Sequence, residues 1–249
     1  MDWKLFNDEL PLQTCGILLL SDCENADALP FICTLLQQRL RDTNAATLLF
    51  SMDRPASDYF EIGRRMGSDP TLAAVRGKFI AVDAFTGNPA SAGVIGCNLL
   101  QTTFDEVLNT IKTAGAKLKG GLTIVLSGLG VLLALGWSLS QVCRLIIGIE
   151  SAFPGVSLII KVARGSGETL LLQRWINHRA VNTIILRPLS VGPTAEAHGE
   201  LRFFYGDLAS PDIRKEQMKG CWLFRSSDAQ LLMKKKSHSS NDSIVSSLQ

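Results

Sequence analysis

Residues 121–143 read GLTIVLSGLGVLLALGWSLSQVC, which is 23 residues without a formal charge in a chain where 19% of residues are charged. A run of this length could cross the roughly 30 Å apolar core of a bilayer as a helix. It could instead supply a buried strand, a turn and a buried helix to a soluble α/β domain. Residues 122–126 are apolar and rich in β-branched side chains, residues 127–130 are small and permissive, and a helical stripe follows Gly136. This change of period favours the strand, turn and helix.

The composition points to an intracellular globular protein. The formal net charge of the 249 residues is only +2, so no overall field indicates a nucleic-acid or membrane partner. Six cysteines never approach C-x-x-C spacing, which predicts reduced thiols and no zinc site. The first ten residues, MDWKLFNDEL, lack an apolar segment, so we predict no signal peptide and a cytoplasmic location that could extend to the nucleus. No metal-binding or cofactor-binding residues are predicted.

Short apolar runs alternate with helical patterns through the first three quarters of the chain. Their spacing suits a strand followed by a crossover helix, a unit of about 30 residues. The alternation predicts an α/β domain whose mostly parallel central sheet is flanked by helices. The predicted strands are 15–20, 47–50, 79–82, 122–126, 156–162 and 181–186, and the predicted helices are 28–40, 57–66 and 104–118.

The pattern changes after Pro188. Residues 201–205, 221–225 and 230–233 are predicted as antiparallel strands, the last two joined by a polar turn at 226–228. The serine-rich segment 234–249 is predicted to be a disordered basic tail, which leaves 1–233 as a single domain. Residues 86–98 lack periodicity and are predicted to form a loop.

The turn after the first strand of such a sheet is the usual place for a ligand. In a P-loop protein it reads G-x-x-x-x-G-K-[ST], so that backbone amides and a lysine hold phosphates. Here residues 21–28 read SDCENADA, with three acids and neither glycine nor lysine. Carboxylates at this position repel a triphosphate, so the sequence predicts no nucleotide site.

The end of the strand at 122–126 lacks the second part of that machinery. A Walker B strand ends in an acid that holds Mg²⁺, whereas this strand is followed by Ser127. Gly128-x-Gly130 lacks the third glycine of a dinucleotide fingerprint and is interpreted as a turn. Ser166 lies in no G-x-S-x-G elbow, so hydrolase chemistry has no support. The missing phosphate-binding residues at 21–28 and the missing acid at position 127 together argue against autonomous ATP hydrolysis.

Basic residues after the strand at 156–162 are the candidates for binding an anion. Residues 161–168, KVARGSGE, are predicted as a loop that presents Lys161 and Arg164, although a solvated loop is the simpler interpretation. Arg174 and Arg179 follow, and exposed helix charge is the simpler interpretation of both. The three lysines at 234–236 could touch nucleic acid, but a short basic tail is usually only solvated.

Several segments in order resemble the Elongator subunit 6 family. They are 56–85 (ASDYFEIGRRMGSDPTLAAVRGKFIAVDAF), 122–146 (LTIVLSGLGVLLALGWSLSQVCRLI), 181–189 (VNTIILRPL), 197–208 (AHGELRFFYGDL) and 221–235 (CWLFRSSDAQLLMKK). The resemblance extends over most of the chain as a pattern rather than as one signature. Ser127 departs from relatives that carry an acid near the end of this strand.

The resemblance implies a RecA-like three-layer fold that has lost its nucleotide-binding motifs. It further implies a non-catalytic subunit of a heterohexameric ring of subunits 4, 5 and 6, which binds tRNA and docks on the catalytic part of Elongator. That complex modifies the wobble uridine, U34, of tRNA. In such rings the loop after the fifth strand faces the central hole. Arg164 is therefore the first candidate for a tRNA phosphate contact, with Lys161 and Arg174 beside it.

Three alternatives stay open from the sequence. The chain could be the sister subunit 5 of the same ring, which is expected to carry a long acidic tail. It could be a RecA/KaiC-type ATPase, or a membrane protein anchored by residues 121–143. Nucleotide binding, membrane partition and the proteins that co-purify with the chain distinguish them.

Overall fold

The computed structural model describes residues 4–5, 16–23, 25–89, 93–205, 218–227 and 230–236. Within them, one sheet of 11 strands carries helices on both faces. The strands are β1 (Lys4–Leu5), β2 (Gly16–Asp22), β3 (Ala45–Ser51), β4 (Phe79–Asp83), β5 (Val94–Gly96), β6 (Gly121–Ser127), β7 (Ser157–Ala163), β8 (Ala180–Arg187), β9 (Gly199–Tyr205), β10 (Met218–Ser226) and β11 (Leu231–Lys235). The helices are α1 (Leu29–Arg41), α2 (Ala56–Arg65), α3 (Pro70–Val75), α4 (Phe104–Ala116), α5 (Gly130–Ala134), α6 (Leu139–Ala152) and α7 (Gly167–Arg179).

The strand order is β1-β11-β10-β9-β8-β2-β7-β6-β3-β4-β5. The strands from β8 to β5 in this order pair in parallel, and β9, β10, β11 and β1 are added in antiparallel pairs. Because parallel strands end at the same edge of a sheet, the ends of β2, β3, β6 and β7 lie side by side. This edge contains the candidate site.

Two hydrophobic clusters cover the two faces of the sheet. Helices α1 to α3 pack on one face, and α4 to α7 pack on the other. The central strand β6 contributes to both, since Val125 belongs to the first cluster and Ile124 and Leu126 to the second. All three side chains are fully buried. The predicted fold, a three-layer α/β domain with a mostly parallel sheet and C-terminal antiparallel strands, is confirmed.

The uncharged stretch 121–143 divides as its sequence predicts. It forms β6, the short helix α5 and the first residues of α6. Gly128 makes the turn after β6 with a positive φ of 80°, which favours glycine. Ser138 begins α6 through a capping box with Gln141. In the part of the chain that the structure describes, no helix has both the length and the apolar character needed to cross a membrane.

The predicted bounds of the loop at 161–168 are wrong at both ends. Strand β7 continues to Ala163, and α7 begins at Gly167, so the connection consists of residues 164–166 only. Lys161 therefore lies within a strand, at the position paired with Leu20 of β2. A lysine near the end of an apolar run looks like the start of a loop, although here it has buried partners.

Other elements were absent from the sequence prediction because their patterns are short or mixed. Residues 86–98 contain β5, which pairs with β4 through Ala81 and Val94, and residues 90–92 lie outside the described residues. Helix α3 has six residues, and α5 has five. Helix α7 buries Leu172, Ile176 and the polar Gln173, which weakens its apolar stripe.

The C-terminal strands are confirmed with small changes in their ends. Strand β11 extends to Lys235, so the first residues of the predicted tail belong to the sheet, while 237–249 lie outside the described residues. The five cysteines that the structure describes are free thiols, and Cys15 lies outside the described part.

Candidate functional site: a filled crevice at the carboxyl edge of the sheet

The turn between β2 and α1 folds onto the end of its own strand. Asp22, the last residue of β2, accepts a hydrogen bond at Oδ2 from the backbone N–H of Ala28 at 3.0 Å. Ala26 N–H donates to the Cys23 carbonyl at 2.9 Å, which closes the turn. Asp27 Oδ1 accepts from Leu29 N–H at 2.8 Å at the start of α1. Side-chain carboxylates therefore use backbone amides that a P-loop would direct at phosphate.

The ammonium of Lys161 occupies the space beneath this turn. Lys161 Nζ lies 2.8 Å from Asp53 Oδ2, 3.0 Å from Asp22 Oδ2 and 3.5 Å from Asp27 Oδ1. The side chains of Lys161 and Asp22 are only 6% and 5% exposed. One buried cation thus joins the ends of β2, β3 and β7 through three carboxylates, which we call the Lys161 cluster.

Arg54 adds a second cation at the outer rim of the Lys161 cluster. Its guanidinium pairs with Asp27 Oδ2 at 2.9 Å, so both oxygens of Asp27 are engaged. The Arg54 carbonyl accepts a hydrogen bond from Ser51 Oγ at 2.6 Å, which fixes the turn after β3. The turn after β3 is thereby tied to the turn after β2.

The end of β6 reaches the same cluster through neutral groups. Ser127 donates from Oγ to Asp53 Oδ1 at 2.9 Å, and Tyr59 on α2 donates its hydroxyl to Ser127 Oγ at 2.6 Å. A Cβ on Gly128 would stand 2.4 Å from Asp53 Cβ, so this glycine leaves room for the aspartate. Asp53 occupies the space beside the position where a Walker B acid would be expected.

Burial and charge act in opposite directions on these groups. Burial raises the pKa of Asp22 above its usual range by more than Lys161 lowers it. Burial alone would lower the pKa of Lys161, but Asp22, Asp53 and Asp27 together raise it. Burial also raises the pKa of Tyr59, which keeps its hydroxyl a donor. At neutral pH, Lys161 is charged.

The charged groups of this arrangement pair mainly with one another, although Asp22 Oδ1 and Arg54 Nε are buried without a hydrogen-bond partner. The ammonium that could hold a phosphate is neutralised by carboxylates, and those carboxylates repel phosphate oxygens. Among the residues that the structure describes, no three His, Cys, Asp or Glu side chains are grouped to hold a metal ion. A triphosphate could enter only by breaking buried ion pairs, which is expensive.

The structure separates the three residues predicted to contact nucleic acid. Lys161 is buried in the cluster and offers no surface to a phosphate. Arg164 is exposed on the 164–166 connection, and its backbone N–H donates to the Asp22 carbonyl. Arg174 is exposed on α7. The nucleic-acid contacts of Arg164 and Arg174 stay predictions.

Sequence reasoning did not identify Asp53, Arg54 or Tyr59. Asp53 follows β3 as Asp22 ends β2, and both come after apolar runs. Acids that follow parallel strands of one sheet lie at the same edge, so the sequence did indicate that Asp22 and Asp53 share an edge. The sequence pattern does not indicate that both acids pair with Lys161, because these ion pairs depend on the register of β2 and β7.

Strand order and the crevice at the carboxyl edge define a RecA/KaiC-like α/β fold. An uncharacterized protein from Pyrococcus horikoshii, solved with an unknown peptide, matches with a TM-score of 0.64 and 12% identity over 93% of this chain and 96% of its own. A KaiC-like protein from the same organism matches with a TM-score of 0.61 and 14% identity over 88% of this chain and 89% of its own. At these identities the likeness concerns the fold alone.

A relative found by sequence similarity gives more specific information than the structural matches. Elongator complex protein 6 of Drosophila melanogaster is 26% identical over 215 residues, which cover 81% of this chain and 84% of the relative. No family model matches the chain. The resemblance to the Elongator subunit 6 family that the sequence predicts is confirmed.

Proposed function

We propose that this chain is a non-catalytic subunit of an Elongator complex. The observation that carries the proposal is its similarity to Elongator complex protein 6 over 81% of its length. The Lys161 cluster supports the non-catalytic part, because the space for a nucleotide is filled by buried ion pairs. In this proposal the chain acts through the assembly that it helps to build.

The proposed assembly is a heterohexameric ring with Elongator subunits 4 and 5, which docks on the catalytic part of the complex. The ring binds tRNA and supports modification of the wobble uridine. A cytoplasmic location that could extend to the nucleus belongs to the same proposal. It also includes a tRNA phosphate contact by Arg164, for which the exposed position beside the carboxyl edge is the support.

Reconstitution tests the assembly directly. The full chain would be co-expressed with subunits 4 and 5 from the same organism, and the mass of the purified complex measured by light scattering. A particle with two copies of each subunit is expected. A chain that stays separate from both subunits contradicts the proposal. A particle in which this chain takes the place of subunit 5 supports the sister subunit instead.

The tRNA contact needs a separate measurement in the assembled ring. Arg164→Glu is expected to weaken tRNA binding several-fold and to reduce its salt dependence, because one phosphate contact is lost. Arg76→Glu is the matched control, since Arg76 is exposed after α3 and precedes β4, at the opposite edge of the sheet. Unchanged affinity in an intact Arg164→Glu ring would remove Arg164 from the proposal.

One other function stays open from the sequence analysis, that of a RecA/KaiC-type ATPase. Saturable ATP binding by the isolated chain would support it. ATP binding by the isolated chain therefore distinguishes the two functions without any partner protein.

A further inference from the structure

Strands β8 to β11 have one covered face and one open face. On the covered face, Trp222, Phe224 and Met233 pack in the cluster that contains Phe31 of α1. The rings of Phe31 and Phe224 meet edge to face at 5.0 Å. On the other face, α7 packs on β2, β7 and β8. Among the described residues of β9 to β11 on that second face, Phe204 is buried beside α7, and the other side chains stay partly exposed.

The register places a group of basic side chains on this open face. Arg202 of β9 pairs across from Ile185 on one side and Cys221 on the other. Arg187 pairs across from Glu200, which pairs across from Leu223. Directly paired residues in adjacent strands point to the same face. The basic side chains on this face are Arg187, Arg202, Arg225, Lys234 and Lys236.

Among the described residues, basic side chains outnumber acidic ones on this open face. Glu200 is its one carboxylate within the described residues, and it already holds Arg202 at 2.7 Å and Lys236 at 3.0 Å. The described residues thus place five basic side chains and one acid on this face, in a chain whose formal net charge is only +2. The surface is therefore a local basic feature and not a reflection of overall composition.

Arg187 lies across from Glu200, whose carboxylate also pairs with Arg202 and Lys236. The Nε of Arg187 is buried without a hydrogen-bond partner. Burial lowers the pKa of Arg187, and the nearby guanidinium groups of Arg202 and Arg164 lower it further. A buried donor without a partner is costly. Arg187 as a whole is partly exposed, so its guanidinium could pair with an incoming carboxylate.

Aliphatic side chains lie between the charges. Ile185, Leu223 and Leu232 are each partly exposed in rows that also contain arginine or lysine. None of these rows presents an exposed aromatic ring, and proteins that bind single-stranded nucleic acid usually stack bases on aromatic rings. Arginine among apolar side chains is instead typical of protein interfaces. The composition of the open face favours a polypeptide over a nucleic acid.

We propose that the open face of β8 to β11 docks a partner polypeptide whose Asp and Glu side chains flank an apolar stripe. The stripe covers Ile185, Leu223 and Leu232, and a carboxylate of the partner binds Arg187. Four strands about 4.8 Å apart offer a width sufficient for one helix about 10 Å across. This docking surface goes beyond the proposed function, and it requires neither tRNA nor ring assembly.

Site-specific crosslinking in cells tests the occupant. A photo-crosslinking amino acid replaces Leu223 in the full chain, and the same amino acid replaces the exposed Leu72 of α3 as a control. The crosslinked peptide is identified by mass spectrometry. Attachment at position 223 to a partner segment that combines apolar residues with Asp and Glu is expected. Attachment to RNA, to a second copy, to this chain's own residues, to a segment without acids, or no attachment above the control overturns the proposal.

Affinity for the mapped segment provides the second arm. The segment is synthesised, and its binding to the purified full chain is measured by fluorescence anisotropy. Arg187→Gln is expected to weaken binding at least about tenfold, because a partly buried charge pair is lost. Lys234→Gln provides a second variant if Arg187→Gln does not fold, and Arg41→Gln, an exposed arginine on α1, is the control. Equal binding by wild type and both variants overturns the proposal.

Discussion

Ser127 Oγ donates a hydrogen bond to Asp53 Oδ1 at 2.9 Å and so joins the end of β6 to the end of β3 through a neutral donor. The same oxygen accepts from Tyr59 at 2.6 Å. A carboxylate at position 127 would meet Asp53 at this distance and could accept but not donate. The serine at the end of β6 is therefore part of the filled crevice as well as a missing metal ligand.

Replacing Ser127 measures this relationship. Ser127→Ala is expected to lower the free energy of unfolding by about 1–3 kcal/mol, because buried Tyr59 and Asp53 lose a partner. Ser127→Asp is expected to lower it further, because two carboxylates then repel each other in a buried place. Urea unfolding measures both values. A Ser127→Asp variant as stable as wild type would contradict the geometry.

Removing the central cation is expected to be the most damaging change in the crevice. Lys161→Met leaves Asp22 buried beside Asp53 without the ammonium, which costs about 3–5 kcal/mol. Lys112→Met, at an exposed position of α4, is the matched control and is expected to change stability little. The two free energies of unfolding are compared at neutral pH. Equal stability of the two variants would show that Lys161 is not buried among carboxylates.

The raised pKa of Lys161 predicts a loss of stability in alkaline solution. A group whose pKa is raised in the folded state stabilises the fold fully below its unfolded value, about 10.4 for lysine. That contribution is lost as pH rises through the higher folded pKa. Stability of the wild type is therefore expected to fall above about pH 10.4 more steeply than that of Lys161→Met. Parallel curves for the two proteins would contradict this assignment.

Gly128 and Gly136 form a natural pair of test and control. Both have a positive φ, of 80° and 88°, but a Cβ would meet Asp53 only at Gly128. Gly136→Ala is expected to cost about 1–2 kcal/mol from backbone strain alone. Gly128→Ala is expected to cost about 1–3 kcal/mol more, because its methyl group displaces Asp53. Thermal or urea unfolding measures the difference, and an equal cost would show that Asp53 does not occupy this space.

The sequence predicted the alternating elements well because each central strand is a continuous apolar run. The prediction failed at β5 and α7, where small residues and the buried polar Gln173 conceal the pattern. Gln173 donates to Ser21 Oγ at 2.8 Å, a contact between residues 152 positions apart that local periodicity does not reveal.

The candidate site was predictable in one respect only. Comparison of residues 21–28 and Ser127 with the Walker motifs shows that the phosphate-binding and metal-binding residues are missing. What fills the crevice is not readable in this way, because Lys161 meets Asp22 and Asp53 only after β2, β3 and β7 are set in register. Lys161 therefore looked like a surface residue in the sequence and is a buried ion-pair partner in the fold.

The filled crevice is tested most directly by titrating the purified full chain with Mg-ATP in a calorimeter. We expect no saturable heat and no hydrolysis, because Lys161 and its three carboxylates occupy the space and repel the triphosphate. Lys161→Met, if folded, is expected to remain unable to bind, since the carboxylates stay. Saturable binding of ATP in the micromolar range by the wild-type chain, with turnover, would contradict the account.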